Sequence, residues 1–209
     1  MLGERGLWFK MCFYEGSARV PLMISGAGFQ PGLVETPVST IDVTPTLASI
    51  AGVSLEEIAP WTEGVDLAPI ASGGARRPVA MEYAAEASYA PVVALRDETY
   101  KFTKCDLDPP QLFDMDKDPH ELKDLAADPA FAEVLARFQS MADERWDLTQ
   151  FDAQVRESQA RRWVVYEARR SGDYYPWDFQ PLQKASERYM RNHMDLNVLE
   201  ESKRFPRGE

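Results

Sequence analysis

The sequence has little of what marks a disulfide-stabilised, zinc-binding or membrane-spanning protein. Its 209 residues include two cysteines, Cys12 and Cys105, which are too few for a disulfide framework or a cysteine-rich zinc site and fit a reducing compartment. No apolar run reaches the roughly 18 residues that a membrane-spanning helix needs. The first six residues lack the basic and apolar regions of a signal peptide, so the sequence predicts a cytoplasmic location.

Positive charge is also scarce. The sequence has 23 lysines and arginines against 34 aspartates and glutamates, and its formal net charge is −11. Nucleic acids and anionic membranes are bound through basic patches, so this balance disfavours both as partners. It is compatible with a cationic ligand, although most acidic proteins are acidic only for solubility.

The residue types alone show no self-contained hydrolase site. His120 follows a helix-start pattern and His193 lies on a predicted helix, so both are interpreted as surface or structural residues. Five aspartates cluster before that pattern, but they lack the spacing and the glycine of an EF-hand loop and are interpreted as a solvated turn. These residues are Asp106, Asp108, Asp114, Asp116 and Asp118.

Local patterns predict a mixed α and β chain. Residues 19–25 form a short apolar run that predicts a buried strand. A helix is predicted between its N-cap Asp42 and Gly52, with Leu47, Ile50 and Ala51 on one face. A linker rich in proline and glycine follows.

From residue 78 onward the pattern predicts a small antiparallel sheet and then helices. The predicted strands cover residues 78–83, 91–96, 99–104 and 111–115. Asp128-Pro129 marks the start of a helix. Its apolar residues recur at helical spacing and are Phe131, Val134, Leu135, Phe138 and Met141. Further helices are predicted over residues 152–170 and from about 181 towards 195.

Three stretches resemble the sulfatases, in the same order and with plausible gaps. Residues 1–10 (MLGERGLWFK) with 14–21 (YEGSARVP) resemble the segment that follows the second metal-ligand cluster of that family. Residues 41–47 (IDVTPTL) with Ala51-Gly52 are similar to its Asp-x-x-Pro-Thr helix. Residues 111–121 (QLFDMDKDPHE) resemble its Leu-Tyr-Asp-Leu-x-x-Asp-Pro-x-Glu segment.

The tail resembles that of the choline sulfatases. The similar positions are Trp146, 152–155 (DAQV), Ser158-Gln159, Arg161-Arg162 and 174–181. The tail is also rich in aromatic residues, which the residues alone explain equally well by packing on the chain's own domain or by a subunit contact. The resemblance implies a homo-oligomer, a dimer or tetramer, assembled through this tail.

The resemblance further implies a fold like that of alkaline phosphatase, α/β overall and α+β in this chain. Residues 1–57 would then end the α/β catalytic domain, and 58–77 would form a linker. Residues 78–150 would form the antiparallel-sheet subdomain with its helix, and 151–209 a helical, aromatic-rich tail.

Sulfatase chemistry uses a formylglycine made from the Cys or Ser of a Cys/Ser-x-Pro/Ala-x-Arg motif, together with a divalent metal, calcium or manganese. Neither Cys12 nor Cys105 is followed by that motif. We therefore expect no metal site in this chain, with the nucleophile and the metal ligands upstream of Met1. The chain is then expected to be a C-terminal fragment of a sulfuric ester hydrolase that is inactive alone.

The resemblance also nominates residues for a site that takes choline sulfate. Lys10 matches the lysine that contacts the substrate sulfate, where an ammonium stabilises negative charge growing on the leaving oxygen. Glu82, beside Tyr83 and Tyr89, and Asp195, near Tyr189, are hypothesised to hold the choline head, because a quaternary ammonium is recognised by carboxylates and aromatic faces. For each acid, an ordinary surface carboxylate is at least as common.

Two other functions remain open at this stage. An arylsulfatase or a phosphonate or phosphate monoester hydrolase of the same superfamily would share Lys10 and differ in the tail. A non-catalytic oligomerisation or interaction module would instead be a stable, cooperatively melting monomer, whereas a fragment is expected to expose apolar surface and self-associate.

Overall fold

A computed structural model describes residues 1–26, 28–85 and 88–170. The chain divides into two units, Met1–Ala153 and Gln154–Glu209. The described residues form helices α1 (Glu15–Ala18), α2 (Val43–Ala51), α3 (Leu55–Ile58), α4 (Leu67–Ala71), α5 (Ala132–Arg145) and α6 (Leu148–Arg170). They form strands β1 (Val79–Tyr83), β2 (Val92–Arg96), β3 (Tyr100–Cys105) and β4 (Gln111–Asp114).

The four strands pair in chain order as one antiparallel sheet, which confirms the predicted strands and the mixed α and β class. The tight connection between β2 and β3 is closed by Asp97, whose carboxylate accepts the backbone N–H groups of Thr99 and Tyr100 at 3.0 and 2.6 Å. An aspartate that bonds the backbone two residues ahead stabilises a turn, and this one fixes the register of the hairpin.

Helix α5 covers one face of the sheet, and the core lies between them. Leu95, Phe102 and Leu112 lie opposite one another on neighbouring strands, and Phe102 stacks on Phe138 of α5 with ring centroids 5.9 Å apart. The helix is preceded by Asp128, whose carboxylate caps the Ala130 N–H at 3.0 Å. The prediction of this helix and its apolar face is confirmed.

The N-terminal segment lies against the opposite face of the sheet. Side chains alternate along a strand, so Lys101 and its cross-strand neighbour Phe113 point away from α5. The ring of Tyr14 meets Phe113 edge to face at 6.1 Å, and the guanidinium of Arg5 lies 4.1 Å from the Tyr14 ring centroid. The sheet therefore has α5 on one side and the segment before residue 19 on the other.

Helix α2 begins and ends as predicted, with Gly52 in the left-handed region at φ 67°. Asp42, however, does not cap α2 with its side chain. Its fully buried carboxylate accepts the backbone N–H groups of Ser39 at 2.7 Å and Val65 at 3.0 Å and pairs with Arg76. Asp42 thereby joins three separate stretches of chain, which a local capping pattern does not reveal.

The predicted strand over residues 19–25 and the predicted apolar face of α2 both differ from the structure. Residues 19–25 form no strand and pair with no strand in the described part of the chain, and Met23 is 92% exposed. An extended apolar run becomes a strand only where a neighbour completes its hydrogen bonds. The α2 face that carries Leu47 and Ile50 is exposed, whereas Pro45, Thr46 and Ala48 are buried.

Helix α6 begins at Leu148, four positions before the predicted start, and extends to Arg170. Trp163 and Tyr166, both exposed, lie on it with ring centroids 5.1 Å apart. The predicted aromatic turn and the helix over residues 181–195 lie outside the described residues. None of the helices described combines the length and apolar character that crossing a membrane requires.

Candidate functional site

Lys10 lies in an exposed loop whose backbone is held from two sides. Met1 and Phe9 exchange hydrogen bonds, in which the Phe9 N–H donates to Met1 at 3.1 Å and the terminal ammonium donates to Phe9 at 2.9 Å. The Ser17 hydroxyl donates to the Lys10 carbonyl at 2.8 Å. The side chain of Lys10 is exposed, so its ammonium is available to an anion, while its backbone is tied to α1.

A buried charge cluster, which the sequence analysis missed, anchors the stretch after Lys10 to the sheet. Lys101 on β3 donates to the Phe13 carbonyl at 2.9 Å and to Glu15 Oε1 at 2.5 Å. Its Nζ also lies 2.7 Å from Glu121 Oε1, an ion pair without hydrogen-bond geometry. The side chains of Lys101 and Glu121 are 2% and 3% exposed. Lys101 therefore joins Phe13, Glu15 and Glu121.

Glu121 is the last residue of the third stretch that resembles the sulfatases, and the structure gives it a role. Its Oε2 accepts the Glu15 backbone N–H at 2.7 Å, and its carbonyl, like that of His120, accepts from the Arg5 guanidinium. Its φ is 56°, a left-handed conformation that is unfavourable for a residue with a side chain. His120 itself is exposed, in line with the prediction of a surface residue.

Glu82 lies on the exposed edge of the sheet and has a partner that the sequence analysis did not pair with it. Its Oε1 accepts the indole N–H of Trp146 at 2.7 Å. The guanidinium of Arg145 lies 5.2 Å from the centroid of the Trp146 ring and pairs with Glu63. The proposed neighbour Tyr83 is the next residue on β1 and therefore points to the opposite face of the sheet.

The structure does not bring Lys10 and Glu82 to the same face. Glu82 lies opposite Val93 and reaches Trp146, on the side covered by α5. The residues after Lys10 pack on the side of Lys101. Asp195, the other residue assigned to the choline head, lies outside the described residues, and so does Tyr189.

The described residues show no cluster of metal ligands, and neither cysteine lies in the formylglycine motif. Residues 158–162 (SQARR) spell the serine form of that motif, but they lie within helix α6. In the described part of the chain, no three side chains of His, Cys, Asp or Glu lie together as metal ligands. Cys12 and Cys105 are both free thiols.

The aspartate cluster is more ordered than the predicted solvated turn, because Asp114 is buried. Burial alone raises the pKa of Asp114, but hydrogen bonds from the ammonium and the backbone N–H of Lys117 hold that pKa below its ordinary value. The pKa of Asp118 is also lowered, by the backbone N–H groups of Leu122 and Lys123. These carboxylates are therefore occupied in organising the turn between β4 and Glu121.

Comparison with known families covers nearly the whole chain. Residues 3–148 match the family described as N-sulphoglucosamine sulphohydrolase, C-terminal. Residues 153–205 match the family described as choline sulfatase enzyme C terminal. The first match includes Lys10, Lys101 and Glu121, and the second includes Asp195.

Individual relatives give the same result. A choline-sulfatase of Rhizobium meliloti (strain 1021) is 65% identical over 213 residues, which is 100% of this chain and 42% of that protein. An arylsulfatase K of Xenopus laevis is 32% identical over 54% of this chain and 23% of its own length. The solved structure of a 2-O GAG sulfatase is 32% identical over 50% of this chain and 23% of that one, with a TM-score of 0.43. The chain thus spans less than half the length of these relatives.

Proposed function

This chain belongs to the sulfatase family, and from that premise we propose that it is the C-terminal part of a sulfuric ester hydrolase that converts choline sulfate to choline and sulfate. The observation that carries this proposal is the 65% identity to a choline-sulfatase along the entire chain. The match of residues 153–205 to the choline sulfatase tail supports the same substrate over that of an arylsulfatase.

Lys10 is the residue of this chain that we assign to the reaction. Cleavage of a sulfate ester moves negative charge onto the leaving oxygen, and a fixed ammonium nearby stabilises that charge more in the transition state than in the ground state. The Lys10 side chain is exposed on a backbone held by the bond from the Phe9 N–H to the Met1 carbonyl and by Ser17, which is the form that this role needs.

Sulfatases generally use a metal ion and a formylglycine; the described residues show no cluster of metal ligands, and neither cysteine lies in the formylglycine motif. We propose that both, with calcium or manganese as the metal, are provided by a part of the enzyme outside these residues. This chain contributes Lys10 to a centre that it does not build, so by itself it should not turn over substrate.

The choline head is assigned to Glu82 and Asp195. A trimethylammonium group has no N–H to donate, so it is held by negative charge and by aromatic faces. The indole N–H of Trp146 fixes the Glu82 carboxylate, which retains free lone pairs, at the edge of the sheet. Glu82 and the Lys10 segment lie on different faces and towards opposite edges of the sheet, so a small substrate bound at Lys10 would not reach Glu82 of the same chain. The assignment therefore requires Glu82 to serve the site of a neighbouring copy.

We further propose a cytoplasmic homo-oligomer, a dimer or tetramer, that assembles through residues 151–209. The two free cysteines suit a reducing compartment, and the exposed Trp163 and Tyr166 suit a subunit contact. Size-exclusion chromatography with light scattering measures this assembly when the chain, with and without residues 151–209, is joined to the N-terminal part of the Rhizobium meliloti choline-sulfatase.

The test of the function is a chimera in which this chain replaces the matching C-terminal region of the Rhizobium meliloti choline-sulfatase. The chimera should release sulfate from choline sulfate with a kcat/KM at least tenfold above that for an aryl sulfate or a phosphate monoester. A folded chimera that prefers an aryl sulfate or a phosphate ester would overturn the choline sulfatase assignment. A folded chimera that hydrolyses none of the three would overturn the enzyme assignment.

A further inference from the structure

We propose that Lys101 is a positioning residue, which holds the Lys10 loop in place through the charge cluster buried beneath the N-terminal segment. The proposal rests on the function assigned to Lys10, and it adds a residue 91 positions away that never touches substrate. Contacts that run from the sheet through α1 connect the Lys101 ammonium to the Lys10 backbone.

The first step is the burial of Lys101 itself. Its side chain is 2% exposed in the middle strand pair of the sheet, where an apolar residue would be the simpler choice. A lysine is kept in such a place only if carboxylates and carbonyls replace its lost water. Glu15, Glu121 and the Phe13 carbonyl do this, all within 2.9 Å of Nζ.

The second step leads from the sheet to α1. Two of the three groups bound by Lys101, the Phe13 carbonyl and the Glu15 carboxylate, flank the start of α1, so the ammonium holds that end of the helix. Glu121 supports the same point from the other side by accepting the Glu15 backbone N–H. The backbone of Glu121 is left-handed, a conformation that carries an energetic cost for a residue with a side chain.

The third step leads from α1 to Lys10. Ser17 in this one-turn helix donates its hydroxyl to the Lys10 carbonyl at 2.8 Å. Lys10 is also only three residues before Phe13, whose carbonyl Lys101 binds. A shift of about 1 Å at a group that stabilises a transition state can cost 100-fold in rate, so an anchor this close should affect kcat.

Lys101 has a matched control on its own strand. Lys104 also lies on β3 and also forms an ion pair, with Asp143 of α5, but it points to the α5 face. Arg96 lies across from Lys101 on β2. Arg96 and Arg5, which donates to the Glu121 carbonyl, both remain in Lys101→Met, so the sheet should fold while the direct contacts with Phe13 and Glu15 are lost.

The first experiment measures amide hydrogen exchange in the full 209-residue chain. In Lys101→Met the N–H groups of Ser17, Ala18 and Arg19, which close α1, should exchange at least tenfold faster. The amides of the β2–β3 ladder should keep their protection, and Lys104→Met should leave α1 unchanged. Unchanged exchange in α1, or an equal loss throughout the sheet, would overturn the positioning role.

If Lys101→Met does not fold, Glu15→Gln provides the same test by changing the partner of Lys101 in the N-terminal segment. It weakens the contact with Lys101 and leaves the Lys101–Glu121 pair in the sheet. Faster exchange confined to residues 15–19 supports the proposal, and wild-type exchange there contradicts it.

The second experiment measures kinetics in the chimera with the Rhizobium meliloti choline-sulfatase. Lys101→Met should lower kcat at least tenfold with KM within about twofold, because it displaces a group that acts in the transition state, and Lys104→Met should retain wild-type kcat. If Lys10→Ala lowers kcat and Lys101→Met does not, the positioning role is wrong. If Lys10→Ala has no effect, the function of Lys10 is wrong, and hydrogen exchange still decides whether Lys101 holds the segment.

Discussion

The indole N–H of Trp146 donates to the carboxylate of Glu82 across 2.7 Å and so joins the residue that follows α5 to the edge strand β1. The two residues are 64 positions apart. Glu82 was assigned to the choline head as an acid beside tyrosines, and the structure gives it a tryptophan partner instead. This hydrogen bond can attach the end of α5 to the sheet, or it can orient the Glu82 carboxylate to bind a cation. The first role predicts an effect on stability, and the second also predicts an effect on substrate binding.

Trp146→Phe removes the N–H donor and keeps an aromatic ring. The lost hydrogen bond should lower the free energy of unfolding by about 1 kcal/mol in a urea titration, and the smaller ring should lower it further because Trp146 packs partly buried against the core. If Glu82 also holds choline, Glu82→Gln should raise KM for choline sulfate in the chimera at least fivefold, with little change in kcat.

Trp61→Phe is the control for replacing an indole as such, because Trp61 is 79% exposed and should tolerate the change. If the Glu82→Gln chimera has the wild-type KM, Glu82 does not bind choline, and its bond to Trp146 only attaches α5 to the sheet.

Gly64→Ala should destabilise the region around Asp42. A Cβ built on Gly64 would lie 2.2 Å from the carbonyl oxygen of Ile41, which is backbone and cannot swing away. The neighbouring Val65 N–H donates to Asp42. A shift of the backbone at residues 64–65 would therefore also disturb the buried Asp42–Arg76 pair. We expect a loss of about 2 kcal/mol or more in unfolding free energy.

Gly32→Ala is the control for this prediction, since its Cβ would meet no atom within 4 Å. Equal stability of the two variants would show that the close approach at Gly64 is not required.

The turn between β4 and Glu121 should weaken in acid. The pKa of Asp118 is lowered by the backbone N–H groups of Leu122 and Lys123, so its folded pKa lies below the unfolded value of about 3.9. Such a carboxylate contributes stability above the unfolded pKa and loses it as the pH falls through the folded pKa. Asp118→Asn should therefore flatten the decline of unfolding free energy below about pH 4, measured by urea titration at several pH values.

Lys123→Ala retains the backbone N–H that donates to Asp118 and should keep the wild-type pH dependence. An Asp118→Asn variant whose stability falls in acid as steeply as that of the wild type would contradict the assigned cause.

The sheet and α5 could be predicted because their signals are local. The strand patterns from residue 78 onward and the Asp128-Pro129 helix start each depend on a few consecutive residues, and the structure confirms them. Residues 19–25 show the limit of this approach. An apolar run is compatible with a strand, but pairing depends on a neighbour that the run itself does not specify.

The charge cluster could not be predicted because its members are distant in sequence. Lys101 looks like an ordinary strand lysine, and its burial depends on Glu15 and Glu121, which lie 86 positions before it and 20 after it. Strand alternation could have indicated that Lys101 points away from the face of Phe102. No local signal identifies the carboxylates that it meets there.

The most direct measurement is the kcat for choline sulfate of the chimera with Lys10 intact and with Lys10→Ala. If the Lys10 ammonium stabilises charge on the leaving oxygen, the substitution should lower kcat by roughly 100-fold or more while KM changes little. An alanine variant that retains the wild-type kcat would contradict the assignment of Lys10 to the reaction.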